Sequence, residues 1–392
     1  MQISYCKNVE IVAICDVDLN RTVEARKHFP NAHIYQDWRK LLDREANNID
    51  SVNVSTPDHM HAPIAVSAMQ LGKHVYGQKP LAHEIHEVRT MTAMARQNRL
   101  VTQMGIQVHS SGYNRMAVGI LQDGAIGRIR EVHSWFERSW GELSARPGKI
   151  DPVPEGFDWD LWLGVCADRP FIGDGYYHPG NWRRRIDFGT GTLGDMGCHM
   201  LDPVLESLGL SAPVSVRSEG PAPNQWNWAP DSKVVFTFAS TPRTAGGTLP
   251  VTWYDGAARP PAEIIALIEG DVFPKAAGSI FIGTEGVLLL PHLIDRPSLY
   301  PRAKFQDYKL PNSRGIKHWE QFVEACRGNG DTGADFTFAG SLTETILLGG
   351  IASRFPHATL TWDSAAMKFN LPQANRFVRR EYRRGWEVGQ LG

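Results

Sequence analysis

Residues 74 to 87, HVYGQKPLAHEIHE, decide the fold. A short apolar run ends at Gly77, a Lys-Pro pair follows at Lys79 and Pro80, and a helical pattern starts a few residues later. Lys79 is therefore expected at the C-terminal end of a strand, the edge where open α/β sheets bind ligands. A strand-end lysine alone is usually a solvated surface group. Two upstream segments give this one a setting. IVAICDVD at 11–18 and VNVSTPDHMH at 52–61 each read as an apolar strand ending in polar chemistry. Three such strands separated by helical stretches form the pattern of a nucleotide-binding sheet.

Working outward, helices are expected over 20–29, 35–44, 61–71 and 85–98, and a further strand over 100–105. Pro63 falls in a first helical turn, where proline is tolerated, and Gly72 stops that helix. A dinucleotide-binding domain is thus expected over residues 1–108, and a substrate-binding and oligomerisation domain over 109–392. The second part opens with a helix at 114–123 and a strand at 129–138. A stretch rich in Trp, Tyr, Pro and Gly then runs from 139 to 190, long enough without periodicity to suggest functional loops. Strands near 213–219, 233–239, 249–254, 279–283 and 286–290 suggest a large, mainly antiparallel sheet, and helices follow near 314–327 and 339–354. The basic, aromatic segment from Arg376 to Arg384 reads as amphipathic and is expected to pack back on the first domain.

The 392 residues suffice for two sizeable cores. A net charge of −1 gives no bulk attraction to nucleic acid or to an anionic membrane, and neither partner is expected. The five cysteines form no C-x-x-C pair, which indicates reduced thiols rather than a zinc knuckle or redox motif. No apolar run reaches the roughly 18 residues of a membrane span. No signal peptide is visible, and the cytoplasm is the expected compartment, or the periplasm if a preceding segment carries an export signal.

A complete dinucleotide-binding domain opens with a strand, a G-x-G-x-x-G turn and a helix. None precedes IVAICDVD here, and residues 1–8 look like the end of a first helix. The expectation is an N-terminally truncated Rossmann domain, from a late-assigned start or a shortened gene. Removing a central strand would leave two unpaired edges.

Asp16, at the end of its strand, is expected to accept hydrogen bonds from the adenosine ribose and to favour NAD over NADP. Ser55, Thr56 and Pro57 close the next strand on the nicotinamide side. His59 and His61 are too few for a metal site, and no metal is expected. His61, Gln78, Lys79 and Gln107 complete the expected cofactor set. In the second part, GTGTLGDMGCHMLDP at 189–203 is the strongest site. Asp195 and His199 are four apart and would share a helix face. With Lys79 they form a catalytic trio able to bind a sugar hydroxyl and take its proton. The plainer alternative makes Asp195 a helix cap and His199 a core residue. Trp162, Tyr177, His178, Trp182 and Arg183 supply rings and a guanidinium for a substrate wall.

These motifs resemble the glucose–fructose oxidoreductase, inositol dehydrogenase and MocA (Gfo/Idh/MocA) family over essentially the whole length. The family's E-K-P motif appears as Gln78-Lys79-Pro80 and its D-x-x-x-H motif as Asp195 to His199. The resemblance implies a Rossmann domain followed by an α/β domain on a large open sheet. It implies NAD(H) acting on a secondary hydroxyl of a sugar, polyol or glycoside. Lys79 would orient that hydroxyl, His199 would be the base and Asp195 its support, in a homodimer or homotetramer. Gln78 departs from the usual Glu, and the absent glycine turn would normally cradle the pyrophosphate, so weak NAD binding is expected. Two other readings stay open: a redox-neutral NAD-dependent glycoside lyase, hydrolase or epimerase, and a non-catalytic sugar-binding protein.

Overall fold

The computed structural model describes residues 2–292 and 295–391. Met1, the first residue of the expected helix remnant, lies outside them, and Gln2–Tyr5 form one 3-10 turn. Five short parallel strands come next: β1 (Ala13–Cys15), β2 (His33–Tyr35), β3 (Ser51–Val54), β4 (His74–Gln78) and β5 (Thr102–Gly105). Four helices alternate with them: α1 (Val23–His28), α2 (Trp38–Glu45), α3 (His61–Gln70) and α4 (Ile85–Gln97). The strands form two sheets, β1-β2 and β3-β4-β5, with no pairing between them among the described residues. A cleft of about 1010 Å³ runs along their facing edges.

Local chemistry sets the element ends. Asp18 accepts the Asn20 N–H and starts a 3-10 turn, so the expected helix at 20–29 shortens to α1. Asp37 caps α2 in the same way. Glu84 and Glu87 close a capping box at the start of α4, satisfying backbone N–H groups that have no intrahelical partner.

Helix α5 (Gly112–Gln122) leads into β6 (Ile129–Phe136), and α6 (Trp159–Leu163) interrupts the long loop. After α7 (Cys198–Leu208) come β7 (Ser215–Ser218), β8 (Lys233–Ala239), β9 (Thr248–Asp255), the short α8 (Ala262–Ile265), β10 (Ala277–Gly283), β11 (Val287–Pro291) and β12 (Ser298–Tyr300). The chain closes with α9 (His318–Cys326), α10 (Phe336–Ser353), β13 (Thr359–Asp363) and β14 (Lys368–Phe369). The nine strands order as β12-β11-β10-β6-β9-β8-β7-β13-β14. Only β6 and β9 pair in parallel, as the mainly antiparallel expectation requires.

Alternation sorts the two faces of this sheet. Val234, Phe236 and Phe238 of β8 join one large core with Leu201 of α7 and Leu342 of α10. Trp135, Ile280 and Leu289 point the other way, where the segment carrying Ile264, Ile268 and Phe273 covers them. Phe273 stacks on Trp135 with centroids 4.5 Å apart. Burial on both faces explains the unbroken apolar run VLLLP in β11.

Beyond the 3-10 turn at Pro372–Phe377, residues 378–391 form an irregular strap rather than a regular amphipathic element. It crosses α4 and α2: the Val378 carbonyl accepts the His86 N–H, the Tyr382 hydroxyl donates to Glu87, and Arg39 lies over the Trp386 ring at 4.2 Å. Arg383 ties the same strap to Gly164 and Asp160 at the end of α6. Among the described residues no helix is long and apolar enough to cross a membrane.

Candidate active site

Lys79 leaves the end of β4 and reaches residue 195, more than a hundred positions away. Its Nζ donates to the Asp195 carbonyl at 2.7 Å and also to the Asp195 carboxylate. Both side chains are 14% exposed, so the pair is shielded but still open to a small molecule. Two further groups fix the carboxylate. Trp140 Nε1 donates to Oδ2 at 2.8 Å, and Arg183 Nε to Oδ1 at 3.2 Å. Burial would raise the Asp195 pKa, but Lys79, Arg183 and Trp140 outweigh it and hold the carboxylate below its usual range.

No hydrogen bond joins Asp195 to His199 among the described residues; the Asp195 charge works to raise the His199 pKa. Leu193–Gly197 form a π-helical turn ahead of α7, and the Asp195 carboxylate in it is taken up by Lys79, Trp140 and Arg183, reaching His199 only through its charge. His199 Nδ1 is sealed and has no partner. Its ring lies 5.7 Å from that of His292, which follows β11. Burial, then the Lys79 ammonium, then His292 push the His199 pKa down to about 3. The ring is therefore neutral at physiological pH and keeps an acceptor nitrogen.

The Rossmann side of the site is tied to the Gly-rich stretch by Asp58, which sequence reading passed over. Its Oδ2 accepts the Thr190 N–H at 3.0 Å and the Thr190 hydroxyl at 2.6 Å. His61 is buried and bridges the Pro80 and Thr56 carbonyls, at 2.8 Å each, so it holds the β3 and β4 ends together. Gln78 pairs with Gly105, where any Cβ would sit 2.7 Å from its amide. Trp140 was also missed. It follows β6 with no periodic context, and only its contact with Asp195 marks it.

The cleft between the sheets gathers Asp16, Ser55, Thr56 and Pro57 with Trp162, His178, Trp182 and Arg183. Asp16 Oδ1 accepts the Asp18 N–H at 2.9 Å, and its pKa is raised chiefly by burial. The Thr56 hydroxyl is buried without a partner. These groups fit NAD: a carboxylate for ribose hydroxyls, and an orphaned hydroxyl at the next strand end for a polar group of the ligand. Gln107 is exposed and lies outside this cleft.

The expected substrate wall divides. Tyr177 and Trp162 are core residues, 2% and 3% exposed, packed with Trp159 and Phe188. His178 sits beside Asp18 and Arg21 at the far end of the cleft, stacked on Phe157. Only Arg183, lying 4.3 Å over the Trp182 ring, accompanies Asp195. Periodicity cannot separate these cases, because a Trp/Tyr cluster serves a loop core and a sugar platform equally.

One group with metal-ligand potential lies elsewhere. His109, Asp202 and Glu206 converge beneath the helical layer. Both carboxylates address the same His109 Nδ1, at 2.9 and 3.6 Å. A protonated imidazole between two acids accounts for that geometry.

The sequence matches the family model described as oxidoreductase family, NAD-binding Rossmann fold, over residues 3–106. It matches the companion model, oxidoreductase family, C-terminal alpha/beta domain, over residues 133–244. It is similar to the levoglucosan dehydrogenase of Pseudarthrobacter phenanthrenivorans, 26% identical over 190 residues, which cover 48% of this chain and 40% of that protein. It is also similar to glycosyl hydrolase family 109 protein 1 of Shewanella sp. strain ANA-3, 29% identical over 137 residues, covering 33% and 29%. The chain spans less than half the length of these curated relatives. Among solved structures, the WlbA dehydrogenase of Bordetella pertussis, in complex with NADH and UDP-GlcNAcA, superimposes with a TM-score of 0.60 at 14% identity, covering 90% of this chain and 91% of that one. The aldose-aldose oxidoreductase of Caulobacter crescentus gives 0.58 at 16% identity, covering 92% and 94%. At these identities the likeness is one of fold.

Proposed function

Because the chain belongs to the Gfo/Idh/MocA oxidoreductase family, with its NAD-binding Rossmann fold, we propose that it oxidises a secondary hydroxyl of a sugar, polyol or glycoside. The observation that carries this reading is the reach of Lys79 from the β4 end to Asp195 in the π turn before α7. A substrate hydroxyl entering there meets an ammonium, a fixed carboxylate and a neutral imidazole. In this reading Asp195 anchors Lys79, and Lys79 donates to the substrate oxygen as it becomes a carbonyl oxygen. His199 accepts the hydroxyl proton, and His292 is the next imidazole to which it can pass. Asp16 and Thr56 hold NAD, which when bound supplies the hydride acceptor. Arg183, stacked on Trp182, contacts the substrate's hydroxyls or carboxylate.

A redox-neutral variant is the second reading, favoured by the similarity to a protein named as a glycosyl hydrolase. Oxidation at one carbon would acidify the neighbouring C–H, and reduction after elimination would return the hydride. One assay tests both: NAD and a panel of polyols, pyranosides and anhydrosugars, followed at the NADH absorbance band and by product analysis. Net NADH formation is expected for the dehydrogenase. Glycoside cleavage without net NADH selects the second reading. A folded protein that does neither with any member of the panel contradicts both.

A further inference from the structure

Away from the cleft, a crevice of about 480 Å³ lies where the strap crosses the end of α10. No residue lining it lines the cleft between the sheets. Its walls are basic: five arginines, 169, 354, 376, 379 and 380, against Glu84, Asp187 and Glu381. Two of the five are engaged within the protein. Arg380 donates to Glu84, His83 and the Asp187 carbonyl, and Arg169 to the Asp187 carboxylate. Those contacts also occupy two of the three acids.

Arg354 is different. Its guanidinium lies between two rings, 5.0 Å from the Trp228 centroid and 4.3 Å from that of Phe377. Its Nε is sealed from solvent without a hydrogen-bond partner, and no carboxylate pairs with it among the described residues. Burial dominates its surroundings and pushes its pKa down to about 10. A cation removed from water is costly unless something compensates it. The ring faces compensate in part. They leave the N–H edge of the guanidinium fork open, and that edge is shaped for a two-oxygen partner. At the rim, Arg376 stacks over Phe377 at 4.6 Å, and it and Arg379 are exposed with no carboxylate partner among the described residues.

We propose that this crevice binds a phosphate group, free or borne by a small metabolite, with Arg354 as its two-pronged donor and Arg376 and Arg379 at the rim. Three unengaged guanidinium groups suit a doubly charged tetrahedral oxyanion better than a single carboxylate. The bound group would join the strap to the end of α10, two segments otherwise linked here by ring contacts.

Calorimetric titration of the full chain with inorganic phosphate at constant ionic strength tests this, with a parallel titration of glucose 6-phosphate. Saturable binding of one phosphate per chain is expected. Arg354→Gln should weaken it by about tenfold or more, and the exposed Arg379→Ala by about threefold. Arg379→Ala keeps the test valid if Arg354→Gln fails to fold. Tighter binding of the sugar phosphate identifies a metabolite-borne group, and equal binding a free ion. Absence of saturable heat overturns the proposal. So does binding that NADH displaces, or that both substitutions leave unchanged, because it would then reside in the cofactor cleft or nowhere specific.

Discussion

Lys79→Met is expected to lower kcat by about 10²- to 10⁴-fold, the range for losing a positioned proton-handling group. NADH affinity should change by no more than a few-fold. The asymmetry follows from the geometry. Lys79 meets Asp195 through both its carbonyl and its carboxylate, so the methionine removes the cation facing the reacting oxygen. Trp140 and Arg183 still hold the Asp195 carboxylate, so the scaffold keeps two of its three anchors. Arg183 also keeps the carboxylate from being left as a buried, uncompensated charge. A melting temperature near that of the parent protein would separate lost chemistry from lost folding. A Lys79→Met enzyme that turns over within a few-fold of the parent would remove Lys79 from the mechanism.

The largest stability effect is expected at His109, whose partner Asp202 lies about one turn beyond His199 on α7. Asp202 is fully buried and its main partner is the His109 imidazole at 2.9 Å. Burial works against the charged ring, but Asp202 and then Glu206 overcome it and raise the His109 pKa to about 9. His109→Leu strands the Asp202 carboxylate, and breaking a buried pair from one side costs about 3–5 kcal/mol. The urea midpoint should fall accordingly with the slope unchanged. The pH dependence has a definite sign. The folded pKa lies above the unfolded value of roughly 6.5, so the stabilisation is full below that pH. It is lost as pH rises through about 9, by up to about 3 kcal/mol. The leucine variant should lack that decline. A parent protein whose stability stays level between those limits would contradict the charged-histidine reading.

Much of this was legible in the sequence. The placement of Asp16, Thr56 and Lys79 just past strand ends follows from short apolar runs that stop at polar residues, and period-two alternation exposes strands such as β8. The convergence of Lys79 with Asp195 was also readable, because both sit on motifs with fixed spacing. What spacing could not show is helical phase. An i, i+4 spacing reveals neither the π turn at Leu193–Gly197 nor that the Asp195 carboxylate is held by Lys79, Trp140 and Arg183. The aromatic loop is hard to sort from sequence for a different reason. Trp162 and Tyr177 pack into the loop's own core beside Phe157, Phe171 and Phe188, while Trp162 also lines the cleft. Trp140 and Asp58 act through partners 55 and 132 residues away, and Arg354 lies between rings from two separate segments, Trp228 and Phe377; nothing in their local sequence announces those partners.

NAD(H) is expected to bind in the cleft headed by Asp16. A titration with NADH, followed through energy transfer from tryptophan to the nicotinamide, tests it most directly. Trp162 and Trp182 line that cleft and supply the donors. The account predicts a saturable signal that Asp16→Ala weakens by about tenfold or more, the loss of a charge-assisted hydrogen-bond pair. A folded, monodisperse protein with no saturable signal, or one indifferent to Asp16→Ala, would contradict it.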